Sequence, residues 1–447
     1  MCFNFSLTHD VSEKILGVFR LLLALFVLLG HLPGLADWTN PLFGRMNAGI
    51  AVQAFFILSG FYMAMILAGK YSLGSPKSFY YSRLLKIFPI YYAVLLSGVI
   101  ICLLIATVGL DIYEYGNNPP SGYDYPSVIS NVFFKSFGLL DPLSIVLLLL
   151  SHIFLIGQDF VYGLVTTPTG ITTVGEFRMT EVFGSFAVDA GGGEVRWQPR
   201  SNVPYMTLEK YLFVPQAWSL GLELMFYAMA PFLLRIKSAG LIGLTVLFLA
   251  LRLFMLELTD LGLNGFFQYK FFPFELGFFL IGILSFKCYQ FLEDSDFDLT
   301  SRHRYGAALL LCVVALCYDL LPDPKNWIFF SAVAILLPIS FKFDSSIASM
   351  PKSVTWDRID RFLGDLSYPL YISHLLVVAA AYGLFQNQMR FLGRSIGQTT
   401  IILVSIVLAA VLLRFVQGPI DRYRWRYAQV ATETRAERRR KGRNKGR

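Results

Sequence analysis

The chain has 447 residues, of which 55% are hydrophobic and 15% charged, with a mean hydropathy of +0.57. A soluble protein of this length needs more polar surface, so the composition excludes a soluble globular enzyme and specifies a multi-pass membrane protein. The formal charge of +8 sits at one end: residues 422–447 hold eleven Arg or Lys and two Glu, so the remainder sums to −1. That tail reads as a cytoplasmic end obeying the positive-inside rule, with contact to anionic lipid headgroups or a partner as the alternatives; it has no nucleic-acid recognition fold.

In chain order, residues 1–14 are expected as a cytoplasmic amino terminus, 15–421 as the membrane domain and 422–447 as the basic cytoplasmic tail. The apolar stretches run roughly 18–22 residues, which selects helices over barrel strands. Spans are predicted to start near Ile15, Gly49, Ile87, Val214, Gly240, Phe271, Tyr305, Trp327, Ser367 and Thr400. The expected fold is therefore all-α, a polytopic bundle of about ten spanning helices. The first run also mimics a secretion signal, with "GLA" at 34–36 as a small-x-small site. Further spans follow at once, so an uncleaved first helix is expected.

One further apolar run, 139–157, is long enough to enter the membrane. An eleventh full crossing would leave the Arg-rich end outside, so this segment is expected to be re-entrant, or paired with a second partial entry near 160–174. It lies within the one large hydrophilic excursion, about 109–212. Between Gly109 and Lys210 this region carries ten Asp or Glu against five Lys or Arg, so it is expected outside. The five cysteines read as small buried hydrophobes, and no metal site is expected.

Ionisable groups inside spans carry the functional signal, because each is costly there. Arg20 and His31 both fall in the first run, "FRLLLALFVLLGHL". Eleven residues of helix turn through about 1100°, roughly 20° from three full turns, and rise about 16 Å, so both side chains face one way at different depths. A neutral imidazole is suited to take a proton from an attacking hydroxyl. The bland alternative is a helix-end histidine bonded to a loop carbonyl. Glu223 and Glu275 are carboxylates in apolar helices, and Glu223 is expected to partner Arg20 or His31. Tyr371 and His374, three apart in "SYPLYISH", either line a cavity or bond within the bundle. Ser59 lacks the surroundings of a nucleophile elbow and reads as a packing residue beside Gly60.

The same residues fall into an ordered series of motifs. After Arg20 and His31 come "FFILSGFYM" (55–63), "FYYSRLLKIFPIYY" (79–92), "WSLGLELMFYAMAP" (218–231), "FELGFFLIGIL" (274–284) and "LGDLSYPLYISHLLV" (363–377). In this order they resemble the acyltransferase-3 family of integral membrane O-acyltransferases, over residues 15 to about 415. Two positions depart from its pattern. Lys86 stands where the basic element usually has a second arginine, and Leu224 follows Glu223 where a second acid is often found. Residues 159–211 match nothing in the family pattern.

The resemblance implies an acyl-CoA donor, most often acetyl-CoA, used as a substrate and not as a permanently bound cofactor. It implies transfer to a hydroxyl of a cell-surface glycan or lipid-linked sugar, in the plasma (cytoplasmic or inner) membrane, with no nucleic-acid partner. Arg83 and Lys86 would dock the CoA phosphates by charge-assisted hydrogen bonds, or else satisfy ordinary positive-inside topology. Arg20 would bind a CoA phosphate, orient a carboxylate, or snorkel to the headgroups. His31 would act as general base, with Arg20 and Glu223 as its catalytic companions and Glu275, Tyr371 and His374 as cavity residues. The rival is a transporter or flippase using Arg20, His31 and Glu223 as a relay; no inverted repeat supports it.

Overall fold

The computed structural model describes residues 16–32, 46–69, 76–108, 140–167, 170–173, 186–188, 195–197, 206–259, 270–295, 301–341, 354–384 and 394–424. The expected amino-terminal segment, 1–14, and the tail beyond Arg424 lie outside them.

Every predicted span is helical. In chain order these helices are α1 (Gly17–Gly30), α2 (Ala48–Ala68) and α3 (Pro76–Val108), then, after the excursion, α6 (Trp218–Leu233), α7 (Ser238–Thr259), α8 (Phe272–Asp294), α9 (Ser301–Leu316), α10 (Lys325–Phe341), α11 (Val354–Leu384) and α12 (Arg394–Leu412). Among the described residues six helices are long and apolar enough to cross a membrane: α2, α3, α7, α8, α11 and the stretch Ile396–Arg424. The other four have only 14 to 17 residues. At 1.5 Å per residue α1 is about 21 Å long, less than the hydrocarbon thickness of about 30 Å.

The extra apolar run forms α4 (Pro142–Phe154), which is 13 residues long. Asp141 caps it by accepting from the backbone N–H of Leu143 and Ser144 at 2.9 and 3.0 Å. It ends where Leu155 takes a left-handed φ of 61°, followed by Gly157 at 83°. The segment near 160–174, considered as a second membrane entry, is instead the one-turn α5 (Gln158–Val161) followed by a hairpin. That hairpin is β1 (Leu164–Thr167) and β2 (Gly170–Thr173), extended by β5 (Met206–Thr207) on β1; β3 (Phe186–Val188) pairs with β4 (Val195–Trp197), and all pairs are antiparallel. Strands of two to four residues thus decorate the excursion, while the bundle itself is helical.

Two packing seams position the site. The first joins α2 to α8, where a Cβ on Gly60 would lie 2.1 Å from the Phe279 carbonyl oxygen and one on Gly282 would lie 2.1 Å from that of Ile57. Only glycine lets these backbones approach so closely, as in small-residue membrane contacts. The second joins α1 to α11. Asp360 on α11 caps α1, accepting from the N–H of Gly17 and Val18 at 3.0 Å each, and a Cβ on Gly17 would overlap the Asp360 carbonyl. The largest buried cluster surrounds α2, α6 and α8; a second fills the space among α1, α11 and α12.

Candidate active site: a charged cavity beside a histidine pair

Between α1, α2, α3, α6 and α11 lies a cavity of about 170 Å³. Its ionisable lining consists of Arg20, Arg83, Lys86, Glu223 and Asp365, with Tyr62, Tyr227, Tyr368 and Tyr371 among its aromatic walls. Five of the sequence-predicted residues, Arg20, Arg83, Lys86, Glu223 and Tyr371, therefore meet around one space. Arg20 lies over the ring of Tyr62, 5.8 Å from its centroid, with its guanidinium beside Gly364 of α11. Glu223 accepts from the Tyr227 hydroxyl at 3.0 Å and feels the charges of Arg20 and Arg83. The expected Arg20 partnership is thus one of charge across a shared cavity. Ser59 also lines the cavity, and the close packing expected of it belongs to Gly60.

His31 and His374 are not in that lining. They form a pair beside it, with ring centroids 5.1 Å apart. Tyr371 makes the connection. Its ring and hydroxyl face the cavity side, held by Ser219 Oγ at 2.7 Å and the Gln216 carbonyl at 3.1 Å, while its own carbonyl bonds His374 Nδ1 at 2.6 Å. Along α1 and α11 the contacts Gly17–Asp360, Arg20–Gly364 and His31–His374 recur at nearly equal spacing. The two helices run parallel, and both Arg20 and His31 face α11. The single stripe expected from their spacing is present.

The hydrogen bonds assign the protons in the neutral pair. A carbonyl only accepts, so His374 Nδ1 carries the hydrogen that reaches Tyr371 O, and its Nε2 carries a lone pair. That lone pair faces His31 Nδ1 at 3.4 Å, and His31 Nδ1 also lies 2.7 Å from the Val27 carbonyl. Two acceptors therefore converge on His31 Nδ1, which must be its N–H. The basic nitrogen of His31 is consequently Nε2. His152, in the excursion, donates from Nδ1 to the Leu148 carbonyl (2.6 Å) and accepts at Nε2 from the Phe213 N–H (3.1 Å). It is a structural pin.

A cation from the α7–α8 connection meets the excursion near His31. Lys270, on the segment entering α8, sits 3.3 Å from the centroid of the Tyr162 ring and acts electrostatically on His31. Burial pulls the Lys270 ammonium down to about 8, with Glu209 opposing that shift. Sequence reading missed Lys270 and Tyr162, because nothing local marks them; Asp365, however, stands inside the quoted "LGDLSYPLYISH" and was legible as an intramembrane acid.

Glu275 lies in neither the cavity lining nor the histidine pair, and His374, expected in the cavity, lies beside it. Glu275 is fully buried, pairs with Arg252 of α7 and accepts from Gln53 Nε2 at 3.2 Å. It belongs to a closed ion pair at the α7–α8 seam and not to the cavity. Arg252, a lone arginine in "LALRLFML", was the available signal, since a buried charge there requires a partner. Among the described residues no cluster of metal-ligating side chains occurs.

No curated protein and no solved structure matches the chain. A family model described as an acyltransferase domain, of the acyltransferase-3 type, matches residues 14–415. That match takes in every helix lining the cavity, and with it the chain belongs to the acyltransferase-3 family and is a membrane-embedded acyltransferase.

Proposed function

We propose that this protein transfers an acyl group, acetyl in the simplest case, from acyl-CoA to a hydroxyl of a cell-surface glycan or its lipid-linked precursor at the plasma (inner) membrane. The observation that carries this reading is the His31–His374 pair, joined through Tyr371 to the cavity that Arg20, Arg83 and Lys86 line.

In the proposed reaction the acceptor O–H gives its proton to His31 Nε2 as its oxygen attacks the thioester carbonyl. The C=O electrons move onto oxygen; when the tetrahedral intermediate collapses, the C–S bond breaks and the CoA thiolate leaves, taking up the proton from the imidazolium. His374 holds His31 in the required tautomer and ring orientation, a positioning role. Arg83 and Lys86 hold donor phosphates, and Arg20 and Glu223 set the charge along the cavity between the two ends.

The deciding experiment supplies radiolabelled acetyl-CoA to membranes containing the full chain and follows label into ester-linked, alkali-labile glycan. Transfer that depends on His31 supports the reading. Glycan or ion movement independent of CoA, with no ester formed, would replace it with the transporter alternative.

A further inference from the structure

The cavity changes character along its length. At one end Arg83 of α3 reaches α2, its Nη1 lying 4.0 Å from the Met63 sulfur, and Lys86 follows three residues on along α3. Phe55 precedes Met63 by eight residues, so about 12 Å of α2 separates this end from the other. The other end is lined by Val52, Phe55, Phe56 and Leu220, together with Ser219 and Tyr371. The two hydroxyls there are already engaged, with each other at 2.7 Å and with the Gln216 carbonyl at 3.2 and 3.1 Å. One end therefore presents cations, and the other a blunt apolar wall.

Three aromatic rings build that wall, and they are fixed to different degrees. Phe56 is 1% exposed, stacks on Phe279 at 4.6 Å and meets Trp218 edge-on at 6.3 Å, so it belongs to the core. Tyr371 is pinned twice, at its hydroxyl and through its carbonyl, which accepts from His374 Nδ1. Its ring stands 6.1 Å from that of His374, between the cavity and the histidine pair. Phe55 is held by packing alone. It is partly buried, meets Tyr371 edge-on at 6.3 Å, and packs against both buried clusters, the one around α2, α6 and α8 and the one among α1, α11 and α12. Phe55 is thus the partition between the end of the cavity and the apolar interior behind it.

We propose that Phe55, backed by Tyr371, sets the length of the transferred acyl group, and that the donor carries a short chain, acetyl or propionyl. This deepens the acyl-CoA reading given above and rests on it. With the donor phosphates at Arg83 and Lys86 and the thioester carbonyl turned toward the histidine pair, the carbon chain on that carbonyl lies against Phe55. Each further methylene then has to push the ring into a close-packed interior, where overpacking is costly. Selection at such a wall is by size, and one methylene in an apolar pocket changes kcat/KM by about 10–200-fold.

The test offers membranes containing the full chain an equimolar mixture of acetyl-, propionyl- and butyryl-CoA, with membranes lacking the chain as the blank. Alkali releases the ester-linked acids from the glycan, and mass spectrometry reads their ratio, which in competition is the ratio of kcat/KM values. The parent is expected to favour acetyl over butyryl by at least about 100-fold. Phe55→Ala is expected to narrow that preference at least about tenfold, with Phe55→Leu in between, and Phe55→Trp is expected to sharpen the preference for acetyl over propionyl. The Leu and Trp variants keep the test decisive if the Ala variant does not fold. Inhibition by free coenzyme A, which reads the charged end, is expected to stay within about threefold of the parent in all three. A parent that transfers butyryl as readily as acetyl, or variants that all keep the parent's ratios, would overturn the proposal and leave the donor reading in place. Ratios that move only in step with coenzyme A inhibition would make Phe55 a determinant of the cavity's shape at large and also overturn it. If the parent forms no ester from any of the three donors, the donor reading falls and the proposal with it.

Discussion

Two groups of charge lie inside the helical bundle, and they are built in opposite ways. At the α7–α8 seam, Arg252, Glu275 and Gln53 close on one another; Arg252 is 6% exposed and Glu275 not at all. Around the cavity, Arg20, Arg83, Lys86, Glu223 and Asp365 face a common space. Burial of charge is common to both. What separates them is room: the first group is packed at a helix seam outside the cavity lining, whereas the second surrounds a volume that another molecule can enter. An ionisable residue in a span is therefore a pointer to function only when a cavity accompanies it.

The comparison predicts different failures in the two places. The largest effect is expected at the histidine pair. His31→Ala is expected to lower acyl transfer by about 10²–10⁴-fold, the usual worth of a general base, with thermal unfolding of the purified protein unchanged. Full activity in that variant would remove the imidazole from the reaction. Next, Glu275→Ala leaves Arg252 buried without its carboxylate and is expected to cost about 3–5 kcal/mol of stability, read as lost folded protein after detergent extraction, with transfer per folded molecule preserved. Joint replacement by Arg252→Met and Glu275→Leu is expected to recover most of that loss. A selective loss of turnover in the folded Glu275 variant would instead make the closed pair part of the site.

A third test stays on the cavity wall. Arg20→Ala is expected to cut transfer by about 10–100-fold, the worth of one charge-assisted hydrogen bond, with a smaller loss in Arg20→Lys. The smallest effect concerns the excursion. Burial raises the Asp159 carboxyl to about 6, nearby backbone amides pulling the other way. Its folded pKa lies above the unfolded value of 3.8, so the stability this group allows is present below about pH 4 and is lost as pH rises through 6. Asp159→Asn should accordingly stabilise the protein by about 1–3 kcal/mol at pH 7.5 and leave it unchanged at pH 4, measured by unfolding midpoints at both pH values.

The fold was largely legible because apolar runs of span length, separated by charged connections, leave few alternatives to a helical bundle. Each predicted span became a helix, including those that proved to be 14–17 residues long. The segment near 160–174 was harder. Its Thr- and Gly-containing stretch forms a short hairpin, and hydrophobicity alone does not distinguish a partial membrane entry from a strand pair. Ser59, expected to pack beside Gly60, faces the cavity for a similar reason: adjacent helical residues point about 100° apart, and only the partner helix decides which of them packs and which faces the cavity.

What the sequence determined by itself was periodic or compositional: the membrane class, the order of the helices, and the shared face of Arg20 and His31, which follows from eleven residues at a fixed helical pitch. Tertiary structure decided everything that depends on residues far apart in the chain. It paired His31 with His374, sent Glu275 to Arg252 and away from the cavity, and brought Arg424 to Ser82 across more than three hundred residues. Helical pitch acts within one segment, whereas these contacts depend on how the segments turn and slide against one another, and that is settled by close packing at seams such as Gly60–Gly282 and Gly17–Asp360.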